Sequence, residues 1–206
     1  MPVIISGSCE TTIVSSKSET RTMSLIQIIA LAARWHGSQT RKDKAKTAYI
    51  THPLMVAAML ESAGCSERTV IGGVLHDVLE DTNCDENEMT LTVGADITAL
   101  VLEVTHNKQL TREQKHEKLC EKLKYMSIEA CMIKLADRAH NLRDLKNLDD
   151  LPDGFTREKV IDYVHKSRQI YDIVFRRNFY DPTILKLCKM LDRAIRDIEE
   201  LDNTQT

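Results

Sequence analysis

Apolar residues near the end of the chain recur at a helical period, and this pattern constrains the fold more than any other feature of the sequence. After Asp181 and Pro182, apolar side chains fall at intervals of three or four residues: Ile184, Leu187, Leu191, Ile195 and Ile198. Residues at this spacing share one face of an α-helix. The segment is therefore predicted to be a long amphipathic helix that packs against a core.

The same periodicity predicts further helices along most of the chain. They are expected at about 23–36, 53–63, 67–82, 127–145 and 156–178. Helix-capping patterns at `DENE` (85–88) and `TREQ` (111–114) open two more, and Gly64 is a natural stop signal. Only `MTLTVG` and `TALVLEVT` are ambiguous with strands, and neither repeats nor a glycine-rich phosphate loop are found. We therefore predict an all-α fold, a single bundle of roughly eight or more helices.

The chain length and its first residues suggest one domain with a tail. The 206 residues are enough to bury a substantial core. Residues 1–22 are rich in serine and threonine and lack a sustained apolar period, which indicates a flexible amino-terminal tail. Residues 23–206 are assigned to the folded domain.

Composition argues against several classes of partner. Aromatic residues make up only 4% and the net charge is -3, which is untypical of nucleic-acid-binding surfaces. No apolar run approaches the ~20 residues that span a bilayer, so no membrane partner is expected. The six cysteines form no CxxC pair, and no secretory signal is found, which favours reduced thiols in the cytoplasm. No pattern indicates an oligomeric state.

The stretch `GGVLHDVLEDT` (72–82) concentrates ionisable groups in an apolar context. On a continuous helix, His76 would lie over Glu80 and Asp77 over Asp81, so all four would share one broad face. The three acids repel one another near a helix end where the dipole disfavours negative charge. A solvated acidic helix end is one interpretation, and a divalent cation that offsets the repulsion is the other.

Two distant residues strengthen the metal interpretation. His52 precedes Pro53 at a helix entrance, where a capping or surface role is the alternative. Asp137 lies on an apolar helix, where an ion pair with Lys134 or Arg138 is the alternative. Two imidazoles and two carboxylates form a mixed set that suits a borderline or hard divalent metal. The set is too rich in oxygen for a thiolate zinc site.

Four motifs together resemble one family of enzymes. They are `RKDKAKTAYITHPLMVA`, `VLHDVLEDT`, `VLEVTHNK` and `IKLADRAHNLRDL`, within residues 24–178. The set is similar to the HD superfamily of metal-dependent phosphohydrolases, and within it to the alarmone hydrolases of the Rel/SpoT family and their small stand-alone relatives. The resemblance implies one manganese ion held by four residues: His52, His76, Asp77 and Asp137. It also implies that Glu80 and Asp81 are the catalytic acid/base pair.

The resemblance further implies a substrate and residues that contact it. Arg41 and Lys42 would contact the nucleotide, Asn141 its ribose end, and Tyr163 would line the pocket. The family's reaction removes pyrophosphate from the 3′ position of guanosine 3′,5′-bis(diphosphate) or the pentaphosphate, leaving GDP or GTP. Alternatives are another nucleotide substrate (the 2′-phosphate of NADPH, an adenosine alarmone or a dNTP) or a non-catalytic nucleotide-binding module.

The basic loop both supports the resemblance and departs from it. Residues 34–46 carry five basic side chains against the single acid Asp43. A polyphosphate substrate would explain this charge, and a solubilising loop is the alternative. The family usually has glycine and proline where this chain has `KDKAKTAYI`, with more lysine.

Overall fold

A computed structural model describes residues 23–146, 151 and 154–204 of the chain. In this part of the chain the regular structure consists of ten α-helices, so the predicted all-α fold is confirmed. The helices are α1 (Leu25–His36), α2 (Thr51–Ala63), α3 (Glu67–Leu75), α4 (Val78–Asp81), α5 (Glu86–Val93), α6 (Ala95–Val104), α7 (Arg112–Lys122), α8 (Ile128–Asp144), α9 (Arg157–Asn178) and α10 (Pro182–Thr204). The predicted tail, residues 1–22, lies outside the described residues.

Local capping interactions set several helix ends. Ser24 and Thr111 each form a reciprocal capping box with the glutamine three residues later. The Asp85 side chain accepts from the Glu88 amide at the start of α5. Gly64 ends α2 in the left-handed conformation, which glycine adopts without a steric penalty. The predictions at Asp85, Thr111 and Gly64 are confirmed. Both ambiguous segments, `MTLTVG` and `TALVLEVT`, are helical.

The long carboxyl-terminal helix packs as its apolar period predicts. All five predicted apolar positions of α10 are fully buried: Ile184, Leu187, Leu191, Ile195 and Ile198. Each large aliphatic side chain buried in this way contributes about 1.5–3 kcal/mol of transfer free energy. None of the helices in the described ranges combines the length and apolarity needed to cross a membrane.

Helix α8 is the centre of the bundle. It packs against α2, α3, α6, α9 and α10. Its inward face is apolar and fully buried, as at Ile133, Leu135 and Leu142. Because it is held from several sides, α8 is a rigid support for the polar residues that it carries.

Two adjacent glycines allow α3 to approach its neighbours closely. A Cβ atom at Gly72 would lie 2.8 Å from both Ile133 Cδ1 and Leu100 Cδ2. One at Gly73 would lie 2.5 Å from Leu60 Cδ1. Side chains at these positions would push α3 away from α2, α6 and α8. The glycines therefore bring the end of α3 near the polar residues of α2 and α8.

The predicted continuous helix over residues 67–82 is wrong. Helix α3 ends at Leu75, helix α4 begins at Val78, and His76 and Asp77 form a turn between them. Asp77 has φ −97° and ψ −8°, outside the helical minimum, and Tyr49 binds its carboxylate. The Asp81 amide still donates to the Asp77 carbonyl at 2.8 Å, so Asp77 and Asp81 remain one turn apart as predicted. The break lies at His76 and Asp77, whose side chains turn towards the same interior site.

Candidate metal and catalytic site

The four residues predicted to bind metal come together from separate parts of the fold. His52 is at the start of α2, His76 and Asp77 form the turn after α3, and Asp137 is on α8. One ligand atom each of His52, His76 and Asp137 lies within 4.8 Å of the others. Asp77 Oδ2 lies 3.2 Å from His76 Nε2 and 3.6 Å from His52 Nε2. The cluster offers two nitrogen and two oxygen ligands around one point.

The orientation of His76 fits a bound cation. Its Nδ1 lies 2.8 Å from the Gly73 carbonyl oxygen, so Nδ1 carries the proton and donates it. Nε2 is buried, has no hydrogen-bond partner among the described residues, and directs its lone pair towards the oxygens of Asp77 and Asp137. Facing lone pairs in a buried site are unfavourable unless a cation lies between them. The residues present therefore fit a divalent metal.

His52 is oriented by a residue whose contact was not predicted. Its Nδ1 lies 2.9 Å from Nδ1 of His140, one turn after Asp137 on α8. Burial is the main cause that lowers the pKa of His140 to about 4, so His140 is neutral and can accept this hydrogen bond. His52 then directs Nε2 towards Asp137 Oδ1, 3.3 Å away. Such outer partners fix the tautomer of metal-binding histidines.

Neighbouring groups favour the charged form of both carboxylates. Burial by itself would raise the pKa of Asp77 and of Asp137. For Asp77 the neighbouring His76 and His52 outweigh burial, and the net pKa is lowered. For Asp137, the adjacent His52 and the charge of Lys134 outweigh burial and lower the pKa well below the usual value. The alternative ion pair between Asp137 and Lys134 is present only as a long contact, with 3.9 Å between Nζ and Oδ2.

Glu80 is held by groups that the sequence did not single out. Lys115 on α7 donates to Glu80 Oε1 at 2.7 Å, and the backbone amide of His106 donates to Oε2 at 3.2 Å. Both oxygens of the Glu80 carboxylate are therefore oriented by the segment from the end of α6 to α7. Lys115 is 35 residues away along the chain, so no local motif pairs it with Glu80.

Asp81 stands at the mouth of the site and is bound at two points. Its Oδ2 lies 2.8 Å from the Tyr49 hydroxyl, which also lies 2.8 Å from Asp77 Oδ2. Its backbone carbonyl accepts a hydrogen bond of 2.5 Å from the Gln39 side chain. Partial desolvation, followed by the charge of Asp77, raises the pKa of Asp81. Asp81 can therefore hold a proton more readily than an ordinary aspartate.

The basic loop forms a tight turn beside the metal cluster. Thr40 and Ala48 pair as an isolated bridge, and the Thr47 amide donates to Asp43 across the turn. Lys46 has a φ of 53°, in the left-handed region that favours glycine. The turn therefore closes without a glycine at this position.

The turn directs Arg41 to the end of α8. Its guanidinium donates to Asn141 Oδ1 at 3.0 Å and to Asp144 Oδ2 at 2.6 Å. Asn141 in turn donates to Asp137 Oδ1 at 2.6 Å. Arg41 and Asn141 are therefore connected directly to a residue of the metal cluster. Lys42 lies exposed at the rim.

One large cavity connects these groups. It has a volume of about 1160 Å³, and every predicted site residue except His76 lines it. Tyr163 forms part of the wall farther along α9, with the Arg138 guanidinium 4.3 Å from the centre of its ring. Eight carboxylates, which include those of the metal and catalytic groups, line it beside eight basic side chains: Arg41, Lys42, Arg112, Lys115, Lys134, Arg138, Lys159 and Lys166. A cavity of this size with these basic side chains can hold a nucleotide with several phosphates.

Comparison with known proteins agrees with the fold and the arrangement of the site. The family model described as "HD domain" matches residues 29–172. Guanosine-3′,5′-bis(diphosphate) 3′-pyrophosphohydrolase MESH1 of Xenopus tropicalis is 36% identical over 148 residues, which cover 71% of this chain and 82% of that protein. The human protein of the same name has the same identity and coverage.

Solved structures give the same result. The structure of a metazoan orthologue of SpoT that hydrolyses ppGpp superposes with a TM-score of 0.72 at 31% identity, covering 82% of this chain and 93% of the other. The structure of a Listeria monocytogenes EGD-e protein has a TM-score of 0.64 at 26% identity and covers 73% and 96%. Sequence and structure therefore point to the same family.

Proposed function

Because this chain belongs to the HD-domain family, together with guanosine-3′,5′-bis(diphosphate) 3′-pyrophosphohydrolases, we propose that it hydrolyses this class of nucleotide. The substrates are guanosine 3′,5′-bis(diphosphate) and the pentaphosphate. Water cleaves the bond between the 3′ oxygen and phosphorus, so that pyrophosphate leaves and GDP or GTP remains. The observation that carries the proposal is the cluster of His52, His76 and Asp137, with Asp77 beside both histidines, at a nucleotide-sized cavity that eight basic side chains line.

The cofactor that we propose is Mn²⁺, held by these four side chains. When bound, a divalent metal lowers the pKa of water and offsets the charge that develops on the phosphoryl oxygens. Nitrogen and carboxylate ligands together, without thiolates, suit such an ion. The unpaired Nε2 of His76 supports this assignment from the structure of the chain itself.

We assign different proton-transfer roles to Glu80 and Asp81. Glu80, oriented by Lys115 and the His106 amide, accepts a proton from the attacking water. Asp81, whose pKa is raised, donates a proton to the departing 3′ oxygen. The hydrolysis step needs no further proton, because Glu80 takes up one and Asp81 delivers one.

The substrate contacts follow from the charge and position of the cavity lining. Arg41 and Lys42 would bind phosphate oxygens near the metal cluster, and Asn141 the ribose end. Tyr163 would pack against the nucleotide farther along α9. The five described cysteines are free thiols, which supports the cytoplasmic location included in this proposal.

A parallel turnover assay tests the proposal. Purified protein with Mn²⁺ is incubated with guanosine 3′,5′-bis(diphosphate), with NADPH and with a dNTP, and the released anion is identified. We expect pyrophosphate from the guanosine nucleotide as the main activity. Orthophosphate from NADPH or tripolyphosphate from the dNTP, without release of pyrophosphate, would identify a different HD-family hydrolase.

Replacing Arg41 with alanine should mainly weaken substrate binding. A hydrogen bond to a charged group contributes about 1.5–3 kcal/mol, so KM should rise by roughly tenfold or more. Steady-state kinetics should show a smaller change in kcat. Arg34→Ala, which removes an exposed arginine from α1, is the matched control and should leave KM unchanged. A normal KM in Arg41→Ala would contradict the assignment.

A further inference from the structure

The Tyr49 hydroxyl lies between two carboxylates that have different proposed roles. It is 2.8 Å from Oδ2 of Asp77, in the metal cluster, and 2.8 Å from Oδ2 of Asp81, in the catalytic pair. Tyr49 is in the segment before α2, 28 residues from Asp77 in sequence.

The ring of Tyr49 is fixed from several directions. Its centre lies 4.9 Å from that of the buried His36 ring, and the Arg41 guanidinium is 5.7 Å from it. The Tyr49 backbone amide donates to the Gln39 carbonyl at 2.9 Å, which secures this segment against the end of α1. The hydroxyl oxygen therefore has a well-defined position relative to α3 and α4.

The Tyr49 hydroxyl can orient the side chains of Asp77 and Asp81 relative to each other. The Asp81 amide donates to the Asp77 carbonyl at 2.8 Å, so the backbone places the two residues one helical turn apart but does not fix the torsions of their side chains. The two carboxylates also repel each other, so without a common partner their side chains would move apart. The hydroxyl lies within hydrogen-bond distance of both oxygens and can donate its single proton to either carboxylate in turn.

We propose that Tyr49 is a positioning residue that aligns Asp77 with the metal cluster and Asp81 with the departing oxygen. This inference rests on the proposed function for its catalytic part. Tyr49 acts through the two carboxylates and takes no part in the bonds that break or form. Outer partners of metal ligands commonly change metal affinity or activity 10- to 100-fold when they are removed.

The test is Tyr49→Phe, which removes one oxygen atom and keeps the ring. We expect kcat to fall by about 10- to 100-fold, with KM within about threefold of wild type. Titration of metal-stripped protein with Mn²⁺ should show an affinity about tenfold weaker or more. Tyr125→Phe is the matched control, because Tyr125 is 84% exposed, and both constants should remain at wild-type values.

A second variant, Tyr49→Leu, distinguishes the role of the hydroxyl from that of the ring. If the hydroxyl positions the carboxylates, Tyr49→Phe and Tyr49→Leu should lose comparable activity and Mn²⁺ affinity. If Tyr49 only packs, Tyr49→Phe should match wild type while Tyr49→Leu fails. That pattern, or a Tyr49→Phe protein that does not fold, would overturn the proposal.

The Mn²⁺ titration distinguishes a failure of the proposed function from a failure of the positioning role of Tyr49. A wild-type protein that does not release pyrophosphate from the alarmone would refute the proposed function. The effect of Tyr49→Phe on metal affinity would still decide whether the hydroxyl positions Asp77. Wild-type turnover combined with normal kcat and Mn²⁺ affinity in Tyr49→Phe would refute the positioning role alone.

Discussion

The double substitution Glu80→Gln with Asp81→Asn is expected to lower alarmone turnover by about 10²- to 10⁴-fold, the usual contribution of acid/base catalysis. Both replacements keep the size of the side chain and remove its ability to transfer a proton. Since the proposed metal ligands are other residues, Mn²⁺ content should remain at the wild-type value. Single-turnover release of pyrophosphate, measured beside metal content and nucleotide binding, checks the prediction.

A control substitution shows whether the loss of turnover is specific to Glu80 and Asp81. Glu86→Gln removes an exposed acid in the first turn of α5 and should leave turnover unchanged. A double variant that retains turnover would show that Glu80 and Asp81 do not transfer protons. A double variant that binds nucleotide and retains biological activity without turnover would identify a non-catalytic nucleotide-binding module.

Asp77→Ala is expected to abolish metal retention and, with it, turnover. Removal of a direct ligand should weaken metal affinity more than the 10- to 100-fold typical of outer partners. Alanine also removes one of the two carboxylates that lie within 4 Å of both His52 and His76. Elemental analysis of protein purified without chelator, together with the alarmone assay, measures both effects.

An exposed acid provides the control for the metal prediction. Asp172→Ala changes the same residue type on the outer side of α9 and should keep the wild-type metal content. If Asp77→Ala retained the same metal content as this control, Asp77 would not be a ligand. If it retained metal but lost turnover, Asp77 would act in orienting Asp81 through Tyr49.

Local patterns in the sequence predicted the helical elements well. The apolar period of α10 is fully borne out by burial, because five inward residues at helical spacing need a continuous apolar partner. Caps at Asp85 and Thr111 are local hydrogen bonds, so a four-residue pattern is enough to predict them. The break at His76 and Asp77 was not predictable in this way. Contacts from Tyr49 and the other helices accompany it, and none of these is local.

The same distinction between local patterns and contacts of distant segments applies to the candidate site. Motifs identified residues that the fold brings together, such as His52 and Asp137, although their roles remain proposals. The residues that orient them were missed, because their pairings join distant segments. Tyr49 and Asp77 are 28 residues apart, and His52 and His140 are 88 residues apart. A single sequence carries no signal for such pairs beyond the presence of suitable side chains.

The most direct measurement combines metal content and product identity in one preparation. Protein purified without chelator is analysed for bound metal, then supplied with Mn²⁺ and guanosine 3′,5′-bis(diphosphate). We predict bound divalent metal, and pyrophosphate and GDP in equal amounts, with no release of either after the metal is removed. Absence of pyrophosphate with Mn²⁺ present, or equal release after metal removal, would contradict the account.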